Sequence, residues 1–312
     1  MAEFDRRFTT EVACRQYLLA LRWPNGFRCP RCSFRKSWLT RRGLLHCQEC
    51  DHETSVTSGT IFHGTRRPLR LWFQVMWWVT GQKNGASALG LQRILGIRSY
   101  QTAWAWLHKL RRAMVRPGRD RLSGRVEVDE TFVGGVEKGG GRRHIGKKAL
   151  VAIAAEMRGS AIGRIRLKRI LDSSAKSLEC FVQEAVEPGS TVVTDGLPSY
   201  LGLGKVGYKH SQEVQEGSAN ASRSLPRVHQ VASLLKRWLL GTHQGRVERT
   251  HLPYYLDEFV FRFNRRNSRA RGLLFHRLAQ QAVTVQPVAY RRLIGGFEDP
   301  EPAGKGQLEL SG

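Results

Sequence analysis

The rhythm of apolar positions changes twice along this chain, from helical to strand-like near residue 120 and back to helical near residue 227. Residues 1–22 carry Val12, Tyr17, Leu18 and Leu21 at helical spacing and end in the turn formers Trp23, Pro24, Asn25 and Gly26, so a helix is expected there. From Pro68 to Lys83 the apolar residues, Trp72, Phe73, Met76 and Trp78 among them, leave so little polar surface that the predicted helix must pack on neighbours. Ser87–Leu95, a glycine-containing turn from Gly96 to Ser99, and Tyr100–Val115 have the outline of a helix-turn-helix. Its second helix would carry Gln101, Thr102, Trp106, His108, Lys109, Arg111 and Arg112; a basic helix entering a major groove and an ordinary bundle with a basic outer face are both compatible with the pattern. Arg116, Pro117, Gly118 and Arg119 break the helix and mark a domain boundary near residue 120.

Past that boundary the predicted order is strand (Arg125–Val133), strand (Lys148–Met157), strand (Arg164–Leu171), helix (Ser174–Val186), strand (Thr191–Thr194), a helical turn and a short strand (Lys205–His210). Helices follow over Arg227–Leu240 and Tyr254–Asn267, the second with a buried stripe of Leu256, Phe259, Val260 and Phe263 and an outer basic one of Arg262, Arg265 and Arg266. This is the order of a ribonuclease-H-like α/β domain, in which the first and fourth strands lie side by side. Residues 296–312 read as a disordered tail.

Charge narrows the partner. Lys and Arg number 51 against 26 Asp and Glu, an excess of +25, which makes a polyanion the expected ligand and DNA the leading one. The apolar run Leu71–Val79 falls well short of the ~20 residues a bilayer span needs, and residues 1–22 lack a signal-peptide core, so a cytoplasmic protein with no membrane partner is expected. Cys29 and Cys32, then Cys47 and Cys50, form two knuckles separated by Ser33–His46, the spacing of a zinc ribbon with four thiolates on one structural zinc. His46 and His52 adjoin the second knuckle as bystanders, and Cys14 and Cys180 are expected as small core residues.

Acids are scarce, so their positions matter. Val126–Phe132 (VEVDETF) sets carboxylates inside an apolar strand, and Thr191–Gly196 (TVVTDG) again feeds an apolar run into an acid at a strand end. If the two strands are neighbours, Asp129 and Asp195 meet and offer the oxygen ligands that magnesium requires. Gly141–Lys148 approaches a phosphate-binding loop but precedes a strand rather than opening a helix, so it reads as a basic loop able to track DNA.

Taken in order, the ribbon, the helical segment, VDETFVGG (128–135), TDGLPSY (194–200), LLKRWLLGT (234–242) and YLDEFVFRFNRR (255–266) resemble the DDE-type insertion-sequence transposases with a zinc-ribbon head, the ISXO-like group, over about residues 10–280. The resemblance implies an enzyme that binds the terminal inverted repeats of its own element and cleaves there. It then joins the 3′ ends to target DNA, acting as a homodimer or larger, nucleoid-associated when bound. It also implies an N-terminal helix and ribbon (1–60), a helical DNA-binding segment (61–119), a catalytic domain (120–295) and the tail. Asp129 and Asp195 take the place of the first two metal ligands, for magnesium or manganese. The third ligand departs from the usual Glu: Arg227–Leu240 has no acid, and His229 stands seven residues before Lys236, on the same helix face, with 33 residues between it and Asp195. Imidazole suits manganese better than magnesium. Glu213, Glu216 and Glu248 are the acids that would otherwise serve, and Lys236 would neutralise phosphate charge. The alternative is a catalytically inactive, transposase-derived DNA-binding protein.

Overall fold

The computed structural model describes residues 2–116, 118–134, 148–213, 224–245 and 247–296. The loop at 141–147, Glu216 and the tail from 297 onward lie outside the described residues.

The chain opens with two helices, α1 (Ala2–Arg7) and α2 (Glu11–Arg22), where one was expected. Thr10 separates them: its hydroxyl accepts the Ala13 N–H at 3.1 Å and starts α2 as an N-cap. A small antiparallel sheet follows, β1 (Ser37–Leu39), β2 (Leu45–Cys47) and β3 (Glu53–Thr54), in that order. Arg22 ties it to α2 by donating to the carbonyls of Ser55 and Val56 at 2.8 and 2.9 Å.

The helical segment comprises α3 (Leu69–Gly81), α4 (Ala88–Leu95) and α5 (Tyr100–Ala113). Gly96 ends α4 at φ +62°, a left-handed conformation that glycine takes without strain, and Ser99 caps α5. Trp106, His108 and Arg111 of α5 are buried, whereas Gln101, Thr102, Lys109 and Arg112 keep solvent access. The first three are therefore packing residues, because α5 is covered on that side by helices from the far end of the chain.

The main sheet contains β4 (Arg125–Val133), β5 (Ala149–Arg158), β6 (Ala161–Ile170), β7 (Thr191–Thr194) and β8 (Lys209–Gln212), in spatial order β6-β5-β4-β7-β8. β4, β5 and β6 pair antiparallel, and β4, β7 and β8 parallel, which is the ribonuclease-H-like arrangement. β6 starts three residues earlier than its composition suggests, because Gly159 (φ +58°) and Ser160 make a two-residue hairpin that pairs Arg158 with Ala161. The last strand starts later than expected, since 3₁₀ turns led by Pro198 occupy Pro198–Val206.

Helix α6 (Ala175–Ala185) covers one sheet face, burying Leu178, Phe181 and Val182 against Val128, Ala152 and Ala154. Cys180, expected in the core, is exposed on the outer side of that helix, 3.6 Å from the Glu184 carboxylate. The opposite face is covered by α7 (Pro226–His243) and α8 (Leu252–Phe263), whose Val231, Leu235, Phe259 and Val260 pack on Val151, Ile153 and Leu167. With both faces covered, β5 is buried from Ala149 to Glu156.

Two further helices, α9 (Arg271–Ala282) and α10 (Tyr290–Gly295), complete the chain. Phe275, Leu278, Ala279 and Ala282 of α9 share one core with Phe4, Phe8, Leu18, Phe73 and Met76, so the amino-terminal helices are finished by a carboxy-terminal one. Phe8 lies 4.9 Å from Phe73 and 5.4 Å from Phe275, ring centre to ring centre. Arg262 does not belong to an outer basic face. It points inward, bonding Glu258 at 2.8 Å and the carbonyls of Gln82 and Val79, because α8 is sandwiched between sheet and helices. Among the described residues no helix is long and apolar enough to cross a membrane.

Candidate active site

Two carboxylates meet where the central strands run side by side. β4 and β7 pair with Arg125 opposite Thr191 and Glu127 opposite Val193. Two residues further in that register stand Asp129 and Asp195. Asp195 sits just past the end of β7, and its Oδ1 accepts the Leu197 N–H at 3.0 Å, an Asx turn that fixes the carboxylate at the strand mouth. Asp129 Oδ1 accepts the N–H of Glu130 at 2.8 Å.

His229 comes from the first turns of α7, and its Nε2 lies 3.2 Å from Asp129 Oδ2. Partial burial raises the pKa of Asp129 and the neighbouring Asp195 adds to this, while the Glu130 N–H and His229 pull the other way. Asp129, whose ionisation burial and a second carboxylate oppose, stands beside an imidazole in a donor set that a divalent cation would relieve. The donor atoms stand farther apart than in a closed metal site: among the described residues only the four cysteines have ligand atoms all within 4.8 Å of one another. Lys236 lies two turns along α7. Burial and then Lys148 lower its pKa, with Asp129 opposing, so Lys236 lies near both Lys148 and Asp129.

Alternation along β4 puts Glu127 on the same face as Asp129, and Glu127 locks α7 in place. Its Oε2 accepts the N–H groups of Arg227 and Val228 at 2.8 and 3.1 Å, and its Oε1 takes the Arg227 guanidinium at 2.8 Å. Leu225, at the N-cap, has φ +51° and no capping side chain, so a strand residue does the capping from outside the helix. Glu130 points to the other face and accepts the Tyr200 hydroxyl at 2.7 Å. Burial pushes the Glu130 carboxyl up to about 7, and burial followed by Glu130 raises the Tyr200 phenol. The period-two pattern of VEVDE was the signal for Glu127; nothing local pointed to Arg227. Neither described alternative acid reaches this cluster, because Glu213 pairs with Arg125 at 3.0 Å and Glu248 with His251 at 3.2 Å.

The four ribbon cysteines converge as expected. Cys29 and Cys50 sulfurs are 3.7 Å apart, Cys32 and Cys47 sulfurs 3.6 Å. Four thiolates at ~2.3 Å from a tetrahedral zinc have sulfurs about 3.8 Å apart, so the quartet fits that ion, and these separations are far beyond a disulfide bond at ~2.05 Å. His46 stands aside, stacked on Trp38 at 4.0 Å and bonded to Asp51.

The model of the ISXO2-like transposase domain matches residues 121–264, and that of the transposase zinc-ribbon domain matches residues 9–53. The chain is similar to an uncharacterized protein in transposable element ISH50 of Halobacterium salinarum, 26% identical over 280 residues that make up 82% of this chain and 92% of the relative. Among solved structures it is similar to the catalytic core domain of BIV integrase, with 17% identity, a TM-score of 0.29, and coverage of 44% of this chain and 81% of that one. It is also similar to a simian T-cell lymphotropic virus intasome, solved in complex with PP2A regulatory subunit B56 gamma, with 14% identity, a TM-score of 0.32, and coverage of 64% and 74%. With a ribonuclease-H-like sheet, a cysteine quartet and both domain models matched in order, the chain belongs to the DDE-type insertion-sequence transposases of the ISXO2-like group with an N-terminal zinc ribbon.

Proposed function

We propose that this transposase is catalytically active, binding the terminal inverted repeats of its own element, cutting the DNA there and joining the 3′ ends to target DNA. The observation that carries the proposal is the meeting of Asp129, Asp195 and His229 at the junction of β4, β7 and α7. Magnesium or manganese held by these three residues would supply Lewis acidity to the attacking water or 3′-hydroxyl and to the leaving oxygen. The protein's own part is positional. Strand register holds Asp129 and Asp195, Glu127 anchors the helix that brings His229, and Lys236 and Lys148 offset phosphate charge beside the acids. Zinc in the cysteine quartet is structural, and the ribbon with the helical segment (1–119) recognises the ends, while residues 120–295 perform the chemistry. Joining two ends calls for at least a dimer. The protein acts in the cytoplasm, on the nucleoid when bound to DNA.

The test is incubation of purified protein with labelled DNA from the boundaries of its own gene, with magnesium, manganese or neither, beside Asp195→Asn. Metal-dependent 3′-hydroxyl ends and joined products are expected, reduced at least ~10³-fold in the variant with binding retained. Tight binding with no cleavage in any metal would instead identify a catalytically inactive descendant.

A further inference from the structure

A second basic centre lies away from the acids. Arg116 and Arg119 of the α5–β4 linker, Arg164 and Arg166 of edge strand β6, Arg265 just after α8 and Arg277 of α9 line one cleft of about 550 Å³. Asp120 is the acid in its lining, so the lining side chains sum to 6 − 1 = +5. Glu156 pairs with Arg164 at 2.6 Å from behind the wall and leaves +4.

Arg166 and Arg265 are held rather than free to swing apart. Arg166 is 6% exposed and donates to the Ile165 and Asp120 carbonyls. Arg265 stacks on Phe261 at 4.2 Å and donates to its carbonyl. Burial, then Arg119 and Arg164, pulls the Arg166 pKa down to about 10; burial, then Arg277 and Arg116, lowers that of Arg265. The cations thus repel one another across the cleft, a cost that an anionic ligand relieves.

The cleft is distinct from the acid cluster. Arg164 and Arg166 alternate with Ile165 and Leu167 of the α7–α8 core and so start from the sheet face opposite Asp129, while Phe261 and Arg265 come from the α8 side, which puts the cleft around the outer edge of β6. β5 also intervenes, putting β6 about 10 Å from β4.

We propose that this cleft binds the phosphodiester backbone of duplex DNA at a non-catalytic site, holding the DNA at the joint between the helical segment and the sheet. The proposal rests on the reading of the chain as a DNA transposase. One phosphate needs a single bidentate guanidinium, whereas six from four segments of the chain, spread over a cleft of this size, match several successive phosphates. Four of the six come from the linker and β6, so bound DNA would also brace the linker that joins the two parts.

The experiment uses the full-length protein without added magnesium or manganese, so that binding is read apart from cleavage. Labelled duplex is titrated across a salt series for wild type, Asp195→Asn, the double variant Arg119→Gln with Arg277→Gln, and its Arg→Lys counterpart. The Gln pair is expected to lessen the slope of log K against log salt by about 1.8, that is ~0.9 for each lost phosphate contact, at an unchanged melting temperature. The Lys pair and Asp195→Asn should keep the wild-type slope. An unchanged slope in the Gln pair overturns the cleft and leaves the function standing; a lessened slope in a protein that never cleaves does the reverse; no DNA binding by wild type overturns both. Titration with inorganic phosphate is the second arm: saturable binding lost in the Gln pair, with the DNA slope unaltered, would mark a small-anion site and overturn the proposal.

Discussion

At the scale of single residues, the proposed role of His229 as third metal ligand is the point on which the chemistry turns. His229 contacts Asp129 directly, at 3.2 Å, and a neutral imidazole has less affinity for magnesium than a carboxylate does. Strand joining should therefore run faster with manganese than with magnesium, and His229→Glu should reverse the order. Rates measured with each ion in both proteins check this; equal or greater wild-type activity with magnesium would remove His229 from the ligand set. The positions of Asp129 and Asp195 were readable because an acid in a β-branched run is costly without a purpose. The resemblance grouped His229 with the two acids; that its Nε2 reaches Asp129 directly depends on the angle at which α7 crosses the sheet, which no local pattern carries.

At the scale of elements, α7 and the ribbon each rely on something outside themselves. A helix opening at Leu225 and Pro226 has no capping side chain of its own, and Glu127 supplies the acceptor from β4. Glu127→Gln should cost about 1–2 kcal/mol in urea unfolding, as loss of a good N-cap does, and should lower cleavage by letting His229 shift. Cleavage at the wild-type rate in that variant would mean that α7 is held by its apolar face alone. The ribbon has short strands and little core, so a zinc ion on its four cysteines would supply much of its stability. One zinc per chain is expected by metal analysis. Its removal, or Cys47→Ser, should change Trp38 fluorescence as the Trp38–His46 stack at 4.0 Å is lost, while the main sheet remains folded. Retention of the fluorescence signal without zinc would argue that the hairpin folds by itself. The ribbon was legible because ligand spacing is local; the capping of α7 was not, because its partner is 100 residues away.

At the scale of the whole molecule, one buried ion pair joins the two halves. Glu258 of α8 bonds Arg111 of α5 at 2.8 Å, with side chains 0% and 2% exposed, and Arg262 on its other oxygen. Gly85 (φ +84°) makes room for this pair, since a Cβ there would lie 2.8 Å from the Glu258 carboxylate. Burial alone would raise the pKa of Glu258, yet Arg262 and Arg111 bring it from the ordinary 4.5 to about 2. A folded pKa below the unfolded one stabilises fully above about pH 4.5, and that stability is lost as pH falls toward 2. Glu258→Gln should cost about 3–5 kcal/mol at neutral pH, because Arg111 stays buried without its partner, and should flatten the acid limb of the melting-temperature profile. An acid limb identical to wild type would assign acid unfolding to other carboxylates.

The sequence by itself determined the elements with strong local signals: the knuckled ribbon, the helix-turn-helix outline, and the order of strands that brings Asp129 beside Asp195. Periodicity, ligand spacing and turn residues act over a few positions, so they can be read in one dimension. Tertiary structure alone decided that Arg111 and Arg262 turn inward, that α9 completes the core begun by α1 and α2, that Glu127 caps α7, and that six arginines from four segments of the chain line one cleft. Each of these depends on contacts between distant segments, where the direction of a charged side chain follows from which neighbour covers it and not from its place in the repeat.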